Sequence, residues 1–294
     1  MNPHGRPKRR TTSLPFGNPI PKRPQYAAGD GLIINLLRCS SLLGQCLAAL
    51  LAILPLFAQA ASCSADRINE RTRVAHVYDG DTVILSDGRK LRLIGIDTPE
   101  LGRDGRPAEP LAEEAAAALR KLLADQTTIG LRLDAEPRDH YQRSLAHLFL
   151  QDGRSVEAWL LERGLATLFI VPPNVWNMSC YITAEQRARD ARSGLWARAE
   201  YQVTDATDLA PGTEGVRLVR GRVLEVEESA KSLWLTLTGN VIVRVDRRDL
   251  VYFGASDPRR LLHGLVLVRG RVVAKTSGWT LHVRHPVALQ RLPG

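Results

Sequence analysis

The sequence predicts a mainly β chain with attached helices, arranged as two small barrels in series. Three observations carry that reading. Short runs of β-branched and apolar residues recur at 73–78, 82–86, 89–96, 128–133 and 144–150, then at 216–226, 232–238, 240–245, 261–274 and 279–283. Clusters of Gly, Asn, Asp and Ser separate many of these runs, as turns require. Helical periodicity is confined to three stretches between 111 and 194. With 294 residues, 44% of them hydrophobic, the chain can bury two cores.

Residues 1–31 are rich in Pro, Gly, Lys and Arg and lack an apolar period, a composition that builds no core. The uninterrupted apolar stretch 47–58 has 12 residues, short for a membrane span, and ends in Ala58-Gln59-Ala60. That small-x-small ending reads as a secretory signal peptide cleaved near Ala60, and uncleaved it would serve as an anchor. An exported, periplasmic or secreted protein follows. Cleavage leaves Cys63 and Cys180, which in an oxidising compartment could pair, the alternative being lipid attachment at Cys63, for which Ala60-Ala61-Ser62 is a poor signal. The expected boundaries are 1–60 leader and signal peptide, 61–70 N-terminal segment, 71–200 first domain, 201–215 linker and 216–294 second domain.

A hairpin follows the first strand. Asp87-Gly88 between two apolar runs signals a two-residue type I′ turn, which would pair Val83 with Arg92, Asp81 with Ile94 and Asp79 with Ile96. Asp81 and Arg92 would then share a face, while Asp79 and Asp97 meet at the open end. Pro99 ends the strand and biases Thr98 to an extended backbone, so Glu100 leaves on a stiff turn. Converging acids call for a cation, and an all-oxygen set without His or Cys suits a hard ion such as Ca²⁺ or Mg²⁺.

The first helix carries Leu111, Ala115, Ala118, Leu119, Leu122 and Leu123 on one stripe. Residues 139–143 form a loop between two strands. Ser155 caps a second helix that Gly164 ends, and Thr183 is expected to cap a third. Trp159 and Trp196 are assigned to the core. Five strands and three helices fit an oligonucleotide-binding (OB) barrel with helices attached.

Three blocks stand in order: residues 78–82 (Tyr-Asp-Gly-Asp-Thr), 92–100 (Arg-Leu-Ile-Gly-Ile-Asp-Thr-Pro-Glu) and 139–143 (Asp-His-Tyr-Gln-Arg). Over about residues 71–196 the chain resembles the thermonuclease family, the staphylococcal-nuclease-like (SNase) domain. The resemblance implies an SNase-like OB barrel and a Ca²⁺-dependent, sugar-nonspecific nuclease acting on DNA or RNA. It implies that Asp81, Asp97 and the Thr98 carbonyl hold Ca²⁺, with Asp79 in the outer shell. It further implies Glu100 as general base and Arg92 and Arg143 on the scissile phosphate. Tyr141 is kept as a substrate contact. Gln142 stands where the family usually has glycine, and His140 where it commonly has lysine. The alternative is a catalytically silent binding or scaffold protein, though such modules often lose these acids or arginines.

The net charge of +9 is uneven: +6 over residues 1–60, −4 over 61–212 and +7 over 213–294. The second domain is expected to be a small OB-like barrel, with Arg222-Val-Leu-Glu-Val226 echoing Arg73-Val-Ala-His-Val77. Its charge, with Trp234, Tyr252, Phe253 and Trp279, suits a nucleic-acid groove, although the same aromatics would also serve a core. The histidines show no metal-ligand spacing, and no nucleophilic Ser or Cys arrangement or phosphate-cradling glycine loop is present. A monomer is expected.

Overall fold

A computed structural model describes residues 63–102 and 105–293. The leader and signal peptide lie outside the described residues. Among those described, no helix is long and apolar enough to cross a membrane.

The first barrel contains β1 (Glu70–Thr72), β2 (Val74–Val77), β3 (Thr82–Leu85), β4 (Lys90–Leu93), β6 (Ile129–Arg132) and β7 (Ser144–Phe149). They form one sheet in the order β1-β6-β7-β4-β3-β2. Because β1 and β2 are consecutive halves of one strand interrupted at Arg73, the sheet curls back on itself. A small ribbon pairs β5 (Gly95–Asp97) with β8 (Thr167–Phe169). Helices α1 (Ala112–Leu123), α2 (Val156–Glu162) and α3 (Met178–Asp190) complete this part.

Ser155 caps α2 as expected, its hydroxyl accepting the Ala158 N–H, and Gly164 follows in the left-handed region at φ 63°. Two helix expectations need correction. The buried face of α1 is Ala112, Ala115, Ala116, Leu119 and Leu123, turned slightly from the predicted stripe. Thr183 does not cap α3, which begins five residues earlier after Asn177. Thr183 sits mid-helix and donates its hydroxyl back to the Ser179 carbonyl at 3.0 Å, a use of threonine that competes with capping.

The hairpin turn also differs. Leu85 N–H donates to the Arg89 carbonyl, so three residues, Ser86-Asp87-Gly88, make the loop, with Gly88 left-handed at φ 85°. The register therefore slips by one: Thr82 faces Arg92 and Val83 faces Leu91. Asp81 precedes the strand in a bend, which frees its side chain from strict alternation and lets it reach Arg92. The predicted neighbours meet by a different route.

The second barrel comprises β10 (Gly215–Glu228), β11 (Ser232–Leu237), β12 (Val241–Asp246), β13 (Leu265–Lys275) and β14 (Gly278–Val283). The circuit β10-β11-β12-β14-β13 closes through pairing of β13 with β10, and β12 runs parallel to β14. The first barrel has the same order, with β4 parallel to β7 in the equivalent place. Strand β15 (Leu289–Arg291) adds to β13. The expected linker is ordered: β9 (Val203–Asp205) pairs parallel with β10. Thr and Asp without period concealed a strand too short to show alternation.

Each barrel has its own apolar core. A third cluster joins them, formed by Ala188, Leu195, Trp196 and Tyr201 with Val216 and Leu218 of β10. Trp196 thus anchors this junction, while Trp159 is only partly buried against the first core. Cys63 and Cys180 form a disulfide across 117 residues, tying the start of the barrel to α3.

Candidate functional site

The site is built on the rim where β3, β4 and β5 meet. Asp79 turns the chain, its carboxylate accepting the Asp81 N–H at 3.1 Å. Gly80 is required by close approach, since a Cβ there would stand 2.7 Å from the Thr98 hydroxyl. Thr98 closes over this bend, and both its N–H and its hydroxyl donate to Asp81 Oδ2 at 2.9 Å. The Thr82 hydroxyl donates to Asp81 Oδ1 at 3.1 Å. Asp81 is buried, with 2% of its surface exposed.

Arg92 bridges the two acids. One terminal nitrogen pairs with Asp81 Oδ1, and the other donates to Asp97 Oδ1 at 2.9 Å. A planar guanidinium holding two carboxylates sets their oxygens around one locus. That all-oxygen grouping, with no His or Cys, is the donor chemistry of a hard divalent cation. Glu100 lies one step beyond, its side chain 61% exposed.

Arg143 and Tyr141 stand on a separate loop. Asp139 organises it, accepting the N–H groups of Tyr141 and Arg143 at 2.9 Å each and Arg143 Nε–H at 2.6 Å. Burial raises the Asp139 pKa, but the hydrogen bonds and charge of Arg143 more than offset it and hold it below the ordinary carboxylate range. Gln142 takes φ 65°, the left-handed backbone that a glycine adopts freely. Tyr141 is 69% exposed, with the Arg143 guanidinium 5.5 Å from its ring centre.

Arg92 and Arg143 line one cleft of about 970 Å³. The second barrel supplies part of its wall: Arg248, Asp249, Tyr252, His282 and Arg284. Of the four aromatics noted in that domain, Tyr252 lines the cleft, whereas Phe253 is buried in the core and Trp279 packs against it. Asp246, Asp249 and His282 bring ligating atoms within 4.8 Å of one another. Arg244 and Arg284 already pair with those two acids at 2.6 and 2.7 Å, which balances their charge.

The sequence missed two participants. Glu109 donates its N–H to the Glu100 carbonyl at 2.9 Å and accepts the Glu100 N–H at 3.0 Å. Arg271, on β13, reaches Glu109 at 2.6 Å, Asp97 at 3.4 Å and Glu100 at 4.0 Å. Neither carries a local signal: Glu109 reaches back nine residues to Glu100 across an irregular loop, and Arg271 acts through a contact between barrels.

Arg92 and Arg143 face one cleft beside a closed barrel of the oligonucleotide-binding kind. Comparison with known proteins narrows the class. The family model "Staphylococcal nuclease homologue" matches residues 90–198. A thermonuclease of Staphylococcus intermedius is 35% identical over 138 residues, covering 46% of this chain and 81% of the relative. The thermonuclease of Staphylococcus hyicus is 32% identical, over 46% of this chain and 82% of its own. Endonuclease YncB of Bacillus subtilis is 31% identical, over 42% of this chain and 60% of its own. The chain belongs to the staphylococcal nuclease family.

Proposed function

We propose that this nuclease is an exported, Ca²⁺-dependent enzyme that hydrolyses phosphodiester bonds of DNA or RNA by in-line attack of water. One observation supports it most: Asp81 and Asp97 converge on Arg92, which lines one cleft together with Arg143.

Asp81, Asp97 and the Thr98 carbonyl would hold the cation, which when bound supplies positive charge to the phosphate. Arg92 lies between carboxylates and cleft, so a turn of its guanidinium presents it to a phosphate oxygen. Arg143, oriented by Asp139, approaches from the loop across the cleft. Their forks bind phosphate oxygens bidentately and stabilise charge that grows in the transition state, where one such donor is worth ~3–4 kcal/mol. Exposed Glu100 takes the proton of the attacking water. The Cys63–Cys180 disulfide favours an oxidising compartment, in keeping with export. Arg248, Tyr252 and Arg284 extend the nucleic-acid contact along the far wall.

Plasmid digestion with Ca²⁺ and then with chelator tests the reading. Cleavage that stops with chelator supports it. Binding without any cleavage would return the protein to the silent-binder alternative.

A further inference from the structure

The second barrel reaches the proposed catalytic carboxylates themselves. On β13 the side chains of Leu267, Arg269 and Arg271 alternate onto one outer face, and that face is turned to the first barrel. Leu267 packs on the junction cluster, and Arg269 forms a buried ion pair with Glu185 of α3. Arg271, next in the row, enters the site.

Its guanidinium meets three acids. One terminal nitrogen donates to Glu109 Oε1 at 2.6 Å. The other lies 3.4 Å from Asp97 Oδ2 and 4.0 Å from Glu100 Oε1. Glu109 uses its remaining oxygen, Oε2, for the Glu100 N–H, and its own N–H for the Glu100 carbonyl. A continuous chain therefore runs from β13 through Glu109 to the backbone of Glu100. Three like charges crowd this corner, and unneutralised they would push one another apart.

We propose that Arg271 is a positioning residue for the nuclease site: it holds Glu109, and through it the backbone that presents Glu100, so that the second barrel completes the active site of the first. This rests on the reading of Glu100 as general base. The second barrel then contributes to turnover as well as to nucleic-acid binding.

The test compares Arg271→Met and Arg271→Lys with the native chain, in the full protein, by two independent readouts. The first is cleavage of a dinucleoside monophosphate at saturating Ca²⁺. Arg271→Met is expected to lower kcat by about 10- to 100-fold, the cost of a misplaced catalytic group, with KM changed less than about threefold. Arg271→Lys should recover part of kcat, because it restores the charge without the fork. The second readout is amide hydrogen exchange at Glu100 and Glu109, which are hydrogen-bonded to each other. Arg271→Met should speed exchange there while β11 and β12 keep native protection, which separates a local release from a failed fold. Native kcat together with native exchange at these amides would overturn the proposal. Should the native protein cleave nothing, the nuclease reading fails, and exchange alone then decides whether Arg271 holds this backbone.

Discussion

Residues 73–77 of the first barrel and 222–226 of the second open the same strand circuit, and each strand then turns into a hairpin. In the first, Tyr78 N–H closes the turn on the Thr82 carbonyl at 2.9 Å, and the residues between are Asp79-Gly80-Asp81. In the second, Ser229 N–H closes on Ser232 at 2.8 Å around Ala230-Lys231. One rim thus carries acids converging on Arg92, and the other carries a lysine. The barrel itself is indifferent to this choice. On the proposed function, chemistry is decided by a few rim residues, and the shared circuit supplies only their placement. The plainer barrel places Arg269 and Arg271 against the first barrel and Arg248 and Arg284 along the cleft, where the proposed function would use them as support and as nucleic-acid contacts.

The largest expected effect separates the two rims. Glu100→Gln should lower kcat by roughly 10²–10⁴-fold at saturating Ca²⁺, the usual worth of a general base. Arg248→Ala, on the second barrel, should leave kcat on a dinucleoside monophosphate unchanged. Steady-state cleavage of that substrate by both variants makes the comparison, and near-native kcat in Glu100→Gln would remove that residue from the mechanism. Next comes the junction. Arg269→Met removes the guanidinium paired with Glu185, which is 4% exposed, and leaves Arg189 as the neighbouring cation. Breaking a buried pair in this way costs about 3–5 kcal/mol. Urea unfolding should show that loss, in one transition if the barrels unfold together. A second transition would show that the junction does not couple them.

Much of this was legible because local rules bear on it. Strand runs in both halves, the Ser155 cap and the stop at Gly164 announce themselves within a few positions, and so do the acids and arginine from Asp79 to Glu100 on which the proposed function rests. The misses have physical causes. Asp-Gly is compatible with a three-residue loop as well as a two-residue one, and that single residue shifted the predicted register. Thr183 offered a capping side chain, but a helix can start after left-handed Asn177 without one. Arg271 and Glu109 were invisible because they meet across 162 residues and between two domains.

The two cores give a further contrast. The second is Val and Leu with Phe253, whereas the first encloses Glu157. This carboxyl accepts the Leu148 N–H at 2.7 Å and the Ser155 hydroxyl at 2.9 Å, and the Tyr181 hydroxyl lies 3.4 Å away. Burial pushes its pKa up to about 7, from 4.5, the hydrogen bonds only partly opposing it. The folded state therefore keeps a proton that the unfolded state gives up. Stability from this group is fully present below pH 4.5 and is lost as pH rises to about 7, a change of about 3 kcal/mol. His147, buried and held below its ordinary pKa by desolvation, works in the opposite sense, so the raw profile mixes the two. The difference between native and Glu157→Gln isolates the glutamate. Relative to native, the variant should gain stability between pH 4.5 and pH 7 in urea unfolding, and parallel profiles would show that Glu157 does not titrate there.

The smallest effect tests whether the second barrel touches nucleic acid at all. Arg248 is 72% exposed, and its ion pairs are long, at 3.8 and 4.0 Å, so little holds it to the protein. Arg284, by contrast, is fixed to Asp249 at 2.7 Å. A loosely held arginine at a cleft wall is free to meet a phosphate, and each such contact releases about one counterion. Arg248→Ala should therefore reduce the salt slope of oligonucleotide binding by about 1, and weaken binding similarly across sequences. Arg284→Ala should change that slope less, because Asp249 already satisfies its charge. Measured with chelator present, so that cleavage does not intervene, equal slopes for native and Arg248→Ala would confine nucleic-acid contact to the first barrel. A reduced slope would make the cleft a two-sided site, one barrel cutting and the other holding.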